Sequence, residues 1–378
     1  MSESLEGLRK KIDSIDDSIA KLYLERMDVA REIGDVKKQN QTEIDAPKRE
    51  NDILYRVLKQ ANSEKQRAYL KQLYEYVFSM SKMHQREGLE EHSKQIDNFR
   101  NALKNKKSSF PISASVACQG VEGAYSEIAA KKLFEVSNIT YFKTFESVFD
   151  AVDKGLCEYG VVPLENSTAG SVLPVYDALT SHKLFIVRSV KVKVGHCLAS
   201  KSPTSKITSV YSHSQAISQC SSFLKKAGIM SFETDNTALA ARKVRESEDE
   251  GCAAICSEEC ASLYSLHIRE RDIQDSGKNS TTFICISKNL EIYEGSDKVS
   301  ILTSLEHKPG SLSSLLSRFY IEHLNLTKLV TRPLNEDDGY MFYFDFEGDS
   351  EKETTLNLLS NLENASSSFA FLGRYKEV

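Results

Sequence analysis

The feature that most constrains this chain is an apolar pattern of helical period near its N-terminus. Apolar side chains recur in steps of three and four at Leu8, Ile12, Ile15, Ile19 and Leu22, and then at Val29, Ile33 and Val36. No proline interrupts residues 5–40. The spacing predicts one amphipathic helix about 50 Å long, at a rise of about 1.5 Å per residue. The two helices that follow in the sequence are shorter and cannot cover its whole length.

Two further helices follow, and no strand signal precedes residue 110. Pro47 stands where the first turn of a helix tolerates proline, and a third apolar pattern runs from about Glu64 to Gln85. These signals predict an all-α helical domain over residues 1–90. Because its long first helix is left partly uncovered, we also predict a homodimer or a higher homo-oligomer.

The sequence pattern changes from helical to mixed α/β after a charged segment. Residues 91–111 end in Ser-Ser-Phe-Pro and are predicted to be a linker or a solvated helix. Residues 112–290 alternate short β-rich runs with helical stretches, which predicts a two-lobed α/β domain with a cleft, like that of periplasmic binding proteins. Residues 298–378 follow the β-α-β-β-α-β order of a ferredoxin-like α+β domain. The chain is therefore predicted to be multidomain.

Charge and composition exclude several classes of function. The 378 residues include 49 Lys+Arg and 54 Asp+Glu, a net charge of −5, whereas nucleic-acid binders are usually basic. The N-terminus is polar at once, so it lacks the apolar segment of a signal peptide. No apolar run reaches the roughly 18 residues needed to span a bilayer. We predict a cytoplasmic protein that binds neither nucleic acid nor membranes.

The cysteines raise the question of a metal site. All eight lie from Cys118 onward, and their scatter favours buried reduced thiols over a disulfide framework. Cys252, Cys256 and Cys260 repeat every four residues and could be metal ligands. The pattern lacks a Cys-x-x-Cys pair or a nearby histidine, so we predict no metal.

Charged and polar residues on the three helices form the first candidate site. Taken singly, an arginine or lysine on a helix is usually solvated or paired. Together the segments LRKKIDSIDDSIAKLYLERMDVAREIGDVK, APKRENDIL and SMSKMHQ resemble the all-helical chorismate mutase family over about residues 5–87. That family rearranges chorismate to prephenate. The pericyclic step needs no nucleophile and no cofactor, but the enzyme must hold a dicarboxylate in a compact shape.

This resemblance implies a role for each residue. Arg26, and Arg9 from a partner protomer, would bind the substrate carboxylates, because arginine binds a carboxylate bidentately. Lys37 and Gln85 would be catalytic and donate hydrogen bonds to the breaking ether oxygen. Other positions would contact substrate polar groups or support the pocket, namely Arg49, Glu50 and Ser81.

Four motifs in the α/β region carry a second resemblance. They are VVPLENSTAGSV (161–172), VGHCL (194–198), VYSHSQAISQC (210–220) and NSTTF (279–283). In this order and spacing they resemble the prephenate dehydratase family over roughly residues 112–290. A fifth segment, GVEGAYSEIAA, lacks both complete phosphate-loop patterns, but as the N-terminus of a helix it would suit a carboxylate.

Prephenate dehydratases expel the ring hydroxyl and CO₂ to give phenylpyruvate. The reaction requires an acid for the hydroxyl and a cleft that orients the substrate, and it implies no cofactor. By resemblance, Thr281 and Glu165 are catalytic. Substrate-binding residues from both lobes would line the same cleft, namely Asn166, Ser167, Ser212, Gln219 and Thr237. His196 and His213 are more simply interpreted as structural hydrogen-bonding groups than as bases.

The sequence departs from the two family patterns at one position each. Ala46 stands where chorismate mutases usually have an aspartate, so Asp45 would have to substitute or one contact would weaken. The dehydratase signature Thr-Arg-Phe reads Thr-Thr-Phe here, with Thr282 in place of arginine. If that arginine binds prephenate, the region would be an impaired dehydratase or a purely regulatory module, unless Lys278 supplies the charge. If it braces the lobes, activity would survive.

Two alternatives concern the ligand of the cleft. The motifs do not distinguish prephenate from arogenate as the substrate. Two lobes with a cleft also fit an exported solute-binding protein, which the missing signal segment disfavours.

The C-terminal region resembles the ACT regulatory domain through the segments KPGSL (308–312) and LVTRP (329–333). This resemblance implies phenylalanine as an inhibitory effector, bound by Gly310, Ser311, Leu312, Thr331 and Arg332. The family motifs Gly-Ala-Leu-Val and Glu-Ser-Arg-Pro read Gly-Ser-Leu-Ser and Val-Thr-Arg-Pro here, which leaves the effector open. The whole chain thus resembles the bifunctional chorismate mutase–prephenate dehydratases, with chorismate and prephenate as substrates.

Overall fold

The computed structural model describes residues 4–86, 93–305, 307, 309–334, 339–348 and 353–378. The chain forms two compact units, one containing the N-terminal helices with residues 310–317 and one containing the other described residues. Residues 87–92, at the predicted boundary of the helical domain, and Lys308 of the predicted effector turn lie outside the described residues.

The helical unit contains the three predicted helices, which are α1 (Leu5–Gln39), α2 (Pro47–Leu58) and α3 (Glu64–Arg86). Helices α1 and α3 approach closely at Gly34, where a Cβ atom would meet the carbonyl oxygen of Gln85 at 2.8 Å. Glycine at this position therefore permits the close packing of the two helices that carry most of the first candidate site.

The apolar stripe of α1 is uncovered within one chain. Its exposed members are Leu5, Leu8, Ile12, Ile15, Ile19, Leu22, Val29, Ile33 and Val36. Only Ala30 and Gly34 of this helix are buried. Single chains rarely leave so long an apolar surface in water. The oligomer that the sequence predicts to cover it stays a prediction.

Helix α4 (Lys94–Lys104) occupies most of the predicted linker and begins the second unit. This helix is solvated on one face only, because Ile96 and Phe99 are 1% and 0% exposed, and the linker role of residues 91–111 stays a prediction. The Phe99 ring lies 4.5 Å from the ring of Phe371. The two apolar side chains share one helical face, and their burial attaches α4 to the second unit.

The first lobe of the α/β region begins with five strands and three helices. In chain order they are β1 (Ser113–Gln119), α5 (Tyr125–Leu133), β2 (Val136–Phe142), α6 (Phe145–Asp153), β3 (Tyr159–Asn166), β4 (Gly170–Ser171), α7 (Leu173–Ser181) and β5 (Phe185–Lys193). Strand β2 pairs with β1 in parallel, and α7 contributes Val175 and Tyr176 to the hydrophobic core of this lobe.

The chain then forms the second lobe and returns. Its elements are β6 (Cys197–Ser200), β7 (Ser209–Ser212), α8 (Ser214–Gln219), α9 (Ser221–Ala227), β8 (Met230–Glu233), α10 (Thr237–Glu246), β9 (Cys252–Cys256), α11 (Glu258–Leu263) and β10 (His267–Glu270), followed by β11 (Ser280–Ser287). Helices α8 and α9 are separated at Cys220, and the Asp275 carboxylate accepts the N–H of Ser222 in the first turn of α9 at 3.1 Å.

Each lobe contains one sheet. The first has the order β2-β1-β3-β11-β5, with β4 paired to β3, and the second has the order β10-β6-β9-β7-β8. The returning strand β11 is antiparallel to both β3 and β5, so it lies inside the first sheet. Two crossings therefore join the lobes, at residues 194–196 and 271–279.

The C-terminal elements have the predicted ferredoxin-like order. They are β12 (Lys298–Leu305), α12 (Ser311–Ile321), β13 (Leu326–Pro333), β14 (Tyr340–Glu347), α13 (Glu353–Ala365) and β15 (Ser368–Tyr375). The strands form one antiparallel sheet in the order β13-β14-β12-β15. The β-α-β-β-α-β order predicted for this region is confirmed.

The C-terminal sheet shares a hydrophobic core with the first lobe. Leu302, Tyr343 and Leu372 belong to the same buried cluster as Val162 and Ile284 of the first sheet. At Gly373, on β15, a Cβ atom would lie 2.1 Å from the carbonyl oxygen of Ile186 on β5, so only glycine fits there. Removing the C-terminal sheet would expose one face of the first lobe to water.

The cysteines are spread over strands, helices and connecting segments of the α/β region. All eight cysteines are buried free thiols. Cys252 and Cys256 lie on a strand and Cys260 on the following helix, so the four-residue repeat does not place them on one helical face. Among the described residues, no helix is both long and apolar enough to cross a membrane.

Candidate active sites

The first site lies between α1 and α3. Arg26 donates a hydrogen bond to the hydroxyl of Ser81, which itself donates to the carbonyl of Val77 at 2.7 Å. Ser81 is 4% exposed, and the guanidinium carbon of Arg26 lies 6.0 Å from the Phe78 ring centroid. The structure thus brings together two of the predicted residues, with the arginine held beside an aromatic face.

Two further predicted residues lie in the last turns of α1 and α3. The Lys37 ammonium donates to the carbonyl of Ile44 at 2.6 Å, and it is half-buried. Gln85 Oε1 is buried and accepts no hydrogen bond from the described residues. A buried amide oxygen without a donor is costly, so this position suits a ligand or a water that supplies one.

Glu50 is engaged by a lysine that the sequence reasoning missed. Lys82 Nζ lies 3.2 Å from Glu50 Oε1 and 3.4 Å from Asp45 Oδ1. Arg86 completes the cluster at 2.9 Å from Asp45. Asp45, considered as a substitute for the missing family aspartate, is therefore already paired. Lys82 directly follows Ser81 in the third motif, but the motif alone gave it no role.

The remaining two predicted residues of this site are arginines. Arg9 and Arg49 are exposed. Seventeen residues separate Arg9 from Arg26 on α1, about 26 Å along the axis at about 1.5 Å per residue. Within one chain Arg9 cannot reach a small ligand bound at Arg26.

The second site forms where β3 and β11 run side by side in the first lobe. Thr281 pairs with Asn166 across the two strands, so their side chains share one face. Asn166 Nδ2 donates to Thr281 Oγ1 at 2.9 Å, and Asn166 Oδ1 accepts the N–H groups of Thr168 and Ala169 at 3.0 and 2.9 Å. Asn166 and Thr281 are each 8% exposed.

A residue outside the predicted set continues this network to the second lobe. Asn279 accepts from Asn166 Nδ2 at 2.8 Å and donates to Gln219 Oε1 at 3.0 Å. His196 Nε2 lies 3.0 Å from the same Gln219 oxygen. Burial lowers the pKa of His196, although the hydrogen bond with Gln219 acts to raise it. The lowered pKa favours a neutral ring. This supports its interpretation as a structural hydrogen-bonding group.

The other predicted cleft residues have separate surroundings. Ser167 Oγ donates to the carbonyl of Lys278 at 3.2 Å. Ser212 is 0% exposed and donates to the carbonyl of Ile255 at 2.7 Å, within the second lobe. Thr237 is the first residue of α10, and Asn236 caps that helix. In the described part of the chain, none of these three side chains forms a hydrogen bond with Thr281.

The structure does not place Glu165 in the same cleft as Thr281. Glu165 pairs with Thr282, so both side chains lie on the face opposite to Asn166 and Thr281. There Lys328 of β13 forms an ion pair with Glu165 at 2.7 Å. The expectation that Glu165 lines the Thr281 cleft is therefore corrected, and the reason is the period of two along a strand.

The N-terminus of α5 is also engaged internally. The carboxylate of Glu127 accepts the N–H of Gly123 and pairs with Lys131. Although burial acts to raise it, the pKa of Glu127 is lowered by these donors. The expectation that this helix end would suit a ligand's carboxylate is corrected, because Glu127 from the same helix fills that role.

The predicted effector residues lie on two segments of the C-terminal region. Gly310 has a φ of +87° and precedes Ser311 and Leu312 at the start of α12. On β13, Thr331 is exposed, whereas Arg332 faces the opposite side and forms two hydrogen bonds to Asp177 of α7, at 2.9 and 2.7 Å. The Arg332 guanidinium is thus already bound to a carboxylate.

Comparison with known proteins gives two family matches. Residues 8–86 match the family described as chorismate mutase type II, and residues 116–291 match the prephenate dehydratase family. The first region holds the Arg26 site and the second holds the Thr281 site.

Individual relatives extend the likeness to nearly the whole chain. A bifunctional chorismate mutase/prephenate dehydratase of Aquifex aeolicus is 32% identical, and the match covers 99% of this chain and 98% of that protein. An arogenate dehydratase/prephenate dehydratase of Arabidopsis thaliana is 37% identical over 69% of this chain and 72% of its own length. The solved prephenate dehydratase of Arthrobacter aurescens in complex with L-Phe is 25% identical, with a TM-score of 0.64, and covers 69% of this chain and 89% of that chain.

Proposed function

The chain belongs to the bifunctional chorismate mutase/prephenate dehydratase family, and we propose that the Arg26 site performs its isomerase step and the Thr281 site its lyase step. The protein is an enzyme of phenylalanine biosynthesis that rearranges chorismate to prephenate and converts prephenate to phenylpyruvate. We further assign residues 1–90 to the mutase, 112–290 to the dehydratase and 298–378 to a regulatory domain, with 91–111 between them.

The mutase site binds a dicarboxylate and stabilises charge on the breaking ether oxygen. Arg26, already oriented by Ser81, binds one carboxylate. Lys37 and the amide N–H group of Gln85 donate hydrogen bonds to the ether oxygen, because both side chains carry N–H donors. The buried Gln85 Oε1, which has no partner among the described residues, accepts from a water or a substrate hydroxyl instead. Glu50 and Arg49 contact the hydroxyl end of the substrate or its surroundings. No proton transfer is required.

A second copy of the chain completes this site. The exposed apolar stripe of α1 supports a dimer, and the separation of about 26 Å between Arg9 and Arg26 supports delivery of the second carboxylate-binding arginine by the partner chain. Arg9 then contributes to the site of the other protomer, and the assembly has two equivalent mutase sites.

The dehydratase site supplies a hydrogen-bond donor to a leaving hydroxyl. The Thr281 oxygen accepts from Asn166, so its own hydrogen is left to donate to the ring hydroxyl of prephenate. As the C–O bond breaks, the hydroxyl leaves as water by taking a proton through Thr281, which regains one from solvent. The bond between the ring and its carboxylate breaks at the same time, its electron pair completes the aromatic ring, and CO₂ leaves. Asn166, Ser167 and Gln219 bind and orient the substrate, and Ser212 and Thr237 shape the second lobe.

The observation that carries this assignment is the Thr281–Asn166 pair on neighbouring strands inside the matched dehydratase region. The experiment is a pair of assays on the full chain, one following loss of chorismate and one following phenylpyruvate from supplied prephenate. Substitutions in each site should abolish one activity and spare the other. If both activities fall together in well-folded variants, the division of labour is wrong.

The ferredoxin-like region after the dehydratase supports a regulatory role as an ACT domain. We propose that phenylalanine binds there, with Gly310, Ser311, Leu312 and Thr331 as candidate contacts. The L-Phe complex of the Arthrobacter aurescens enzyme supports this effector. Arg332 is proposed to act indirectly, by joining β13 to α7 through Asp177. A remote effector changes activity only by binding two states of the protein unequally.

Calorimetric titration of the full chain with L-phenylalanine tests the effector. A chain truncated before β12 is unsuitable, because the C-terminal sheet shares a core with the first lobe. Gly310→Ala should weaken binding, since alanine is strained at a φ of +87°. Gly228→Ala is the matched control, because its φ of +66° is also positive and no other atom lies within 4 Å of the added Cβ in either case. Absence of heat with the unmodified chain would rule out phenylalanine.

Two relatives bear on whether prephenate or arogenate is the substrate of the dehydratase. The Arabidopsis thaliana relative is named for both substrates. We propose prephenate as the main substrate, because the Aquifex aeolicus relative matches the full length, mutase region included, and is named for prephenate alone. Turnover of the two substrates at equal concentration tests this choice. The cytoplasmic location stays a prediction.

A further inference from the structure

The donors and acceptors around Asn279 can be assigned in sequence from a fixed starting point. The backbone N–H groups of Thr168 and Ala169 can only donate, so the atom of Asn166 that they meet must be Oδ1. The other end of that amide is then Nδ2, which donates to Thr281 Oγ1 and to Asn279 Oδ1. The orientation of Asn166 is thereby determined by the main chain.

The hydrogen-bond directions are equally determined from Asn279 into the second lobe. Because its oxygen faces Asn166, its Nδ2 group must face Gln219, which then presents Oε1 at 3.0 Å. His196 Nε2 meets that same oxygen at 3.0 Å, so this nitrogen carries the proton. Every direction in the network follows from the two backbone donors, and Asn279 is its central member.

Asn279 is also placed at the joint of the two lobes. It lies in the second crossing, directly before β11, and its carbonyl accepts the N–H of Val194 in the first crossing at 3.0 Å. Its side chain is 3% exposed. A buried amide that satisfies one partner in each lobe fixes their relative geometry at the cleft, because breaking either bond leaves a buried polar group unpaired.

We propose that Asn279 is a positioning residue of the dehydratase reaction, whose side-chain amide holds the Asn166–Thr281 pair of the first lobe and Gln219 of the second in one orientation. It contacts no reacting atom. Its effect reaches the substrate through the direction of the Thr281 hydroxyl and of the Gln219 amide. The inference rests on the proposed roles of Thr281 and Gln219.

Two variants test the proposal on the full chain. Asn279→Ala removes both hydrogen bonds, whereas Asn279→Asp keeps the acceptor for Asn166 and sets a carboxylate against the Gln219 oxygen. Each should lower kcat for prephenate by about 10-fold or more, since small misplacements at a reacting centre are costly. KM should change less, because Asn279 does not bind the substrate itself. A circular dichroism spectrum and a thermal unfolding transition that match those of the unmodified chain report that the lobes are folded. Asn289→Ala, on an exposed loop, is the matched control.

A double-mutant cycle separates positioning from a general loss of structure. If Asn279 acts through Gln219, Asn279→Ala combined with Gln219→Ala should lose no more activity than the worse single variant. Losses that multiply, or a full kcat in Asn279→Ala, would overturn the proposal. Should the alanine variant not fold, the aspartate variant decides by the same criteria. A Thr281→Ala variant with full activity would instead refute the proposed site, so the two failures are distinguishable.

Discussion

Lys328 Nζ lies 2.7 Å from Glu165 Oε2, so a lysine of the C-terminal sheet neutralises a carboxylate on the strand that carries Asn166. The ammonium also lies 5.7 Å from the Tyr176 ring centroid, and its side chain is 14% exposed. Glu165 pairs across the sheet with Thr282, the position where the dehydratase signature has arginine. In this chain the cation beside Glu165 comes from another domain.

Restoring the signature arginine should therefore do little to substrate binding. Thr282 faces away from Thr281, toward Glu165, so the side chain of Thr282→Arg would compete with Lys328 for that carboxylate. We expect the KM for prephenate to stay within about 2-fold, because binding energy at the cleft is unchanged. Steady-state kinetics with Thr282→Gln as an uncharged control measure this. A clear fall in KM would show that residue 282 reaches the substrate.

The Glu165–Lys328 pair should couple the C-terminal sheet to the dehydratase. Lys328→Met removes the charge but keeps the apolar stem, so uninhibited kcat should stay within about 2-fold while the phenylalanine concentration for half-inhibition shifts by more. Stability should change by no more than about 1 kcal/mol, because Glu165 is 43% exposed and its pair is screened by water. Lys183→Met, an exposed lysine, is the control. Unchanged inhibition would leave the pair without a regulatory role.

Thr281→Ala should reduce dehydratase turnover by on the order of 10²-fold, the usual range for a positioned proton-transfer group. Thr281→Ser keeps the hydroxyl that Asn166 holds at 2.9 Å and should retain most of the activity. Both variants should rearrange chorismate at the normal rate. Equal activity of the alanine and serine variants would contradict the role of the hydroxyl.

Arg9→Ala and Arg26→Ala should each abolish mutase turnover and spare the dehydration of supplied prephenate. If the partner subunit's Arg9 serves the Arg26 site, mixed dimers of the two variants contain one intact site and should recover up to about half of the activity per exchanged dimer. Lys10→Ala, next to Arg9 and exposed, should behave normally. Verified heterodimers without any recovery would exclude the shared site.

The imidazole of His196 should titrate below the ordinary value of 6.5, because burial disfavours its charged form. Between the pKa of the folded state and 6.5, the unfolded chain therefore binds more protons at this histidine than the folded chain does. This group therefore adds no pH dependence to stability above about pH 6.5 and lowers stability as the pH falls below it. Nuclear magnetic resonance of ring-labelled histidine, assigned by His196→Gln, measures the pKa. A value above 6.5 would contradict the burial argument.

Much of the fold could be predicted from the sequence because it depends on local patterns. The 3.6-residue period of α1, the proline that opens α2 and the βαββαβ order of the C-terminal region are local signals, and the structure has all three. The motifs around Asn166 and Thr281 also indicated one site, although 115 residues separate the two positions. Their pairing on β3 and β11 agrees with that expectation.

Other properties were decided only by the tertiary structure. A register shift beside Thr282 places Leu164 as an extra residue in β3, and Glu165 pairs with Lys328 of the distant strand β13; the sequence indicated neither. The charged segment containing α4 is held by Phe99, whose partner Phe371 is distant in the chain.

The contacts that join the domains were also decided only by the tertiary structure. Asn279 lies between the two lobes, and Lys328 and Arg332 form ion pairs with carboxylates, because segments distant in the chain pack together. A sequence determines which backbone conformations are favourable locally, because those depend on neighbours a few residues away. Which polar groups must pair is settled by burial, since the cost of an unpaired group arises only once long-range packing has removed its water.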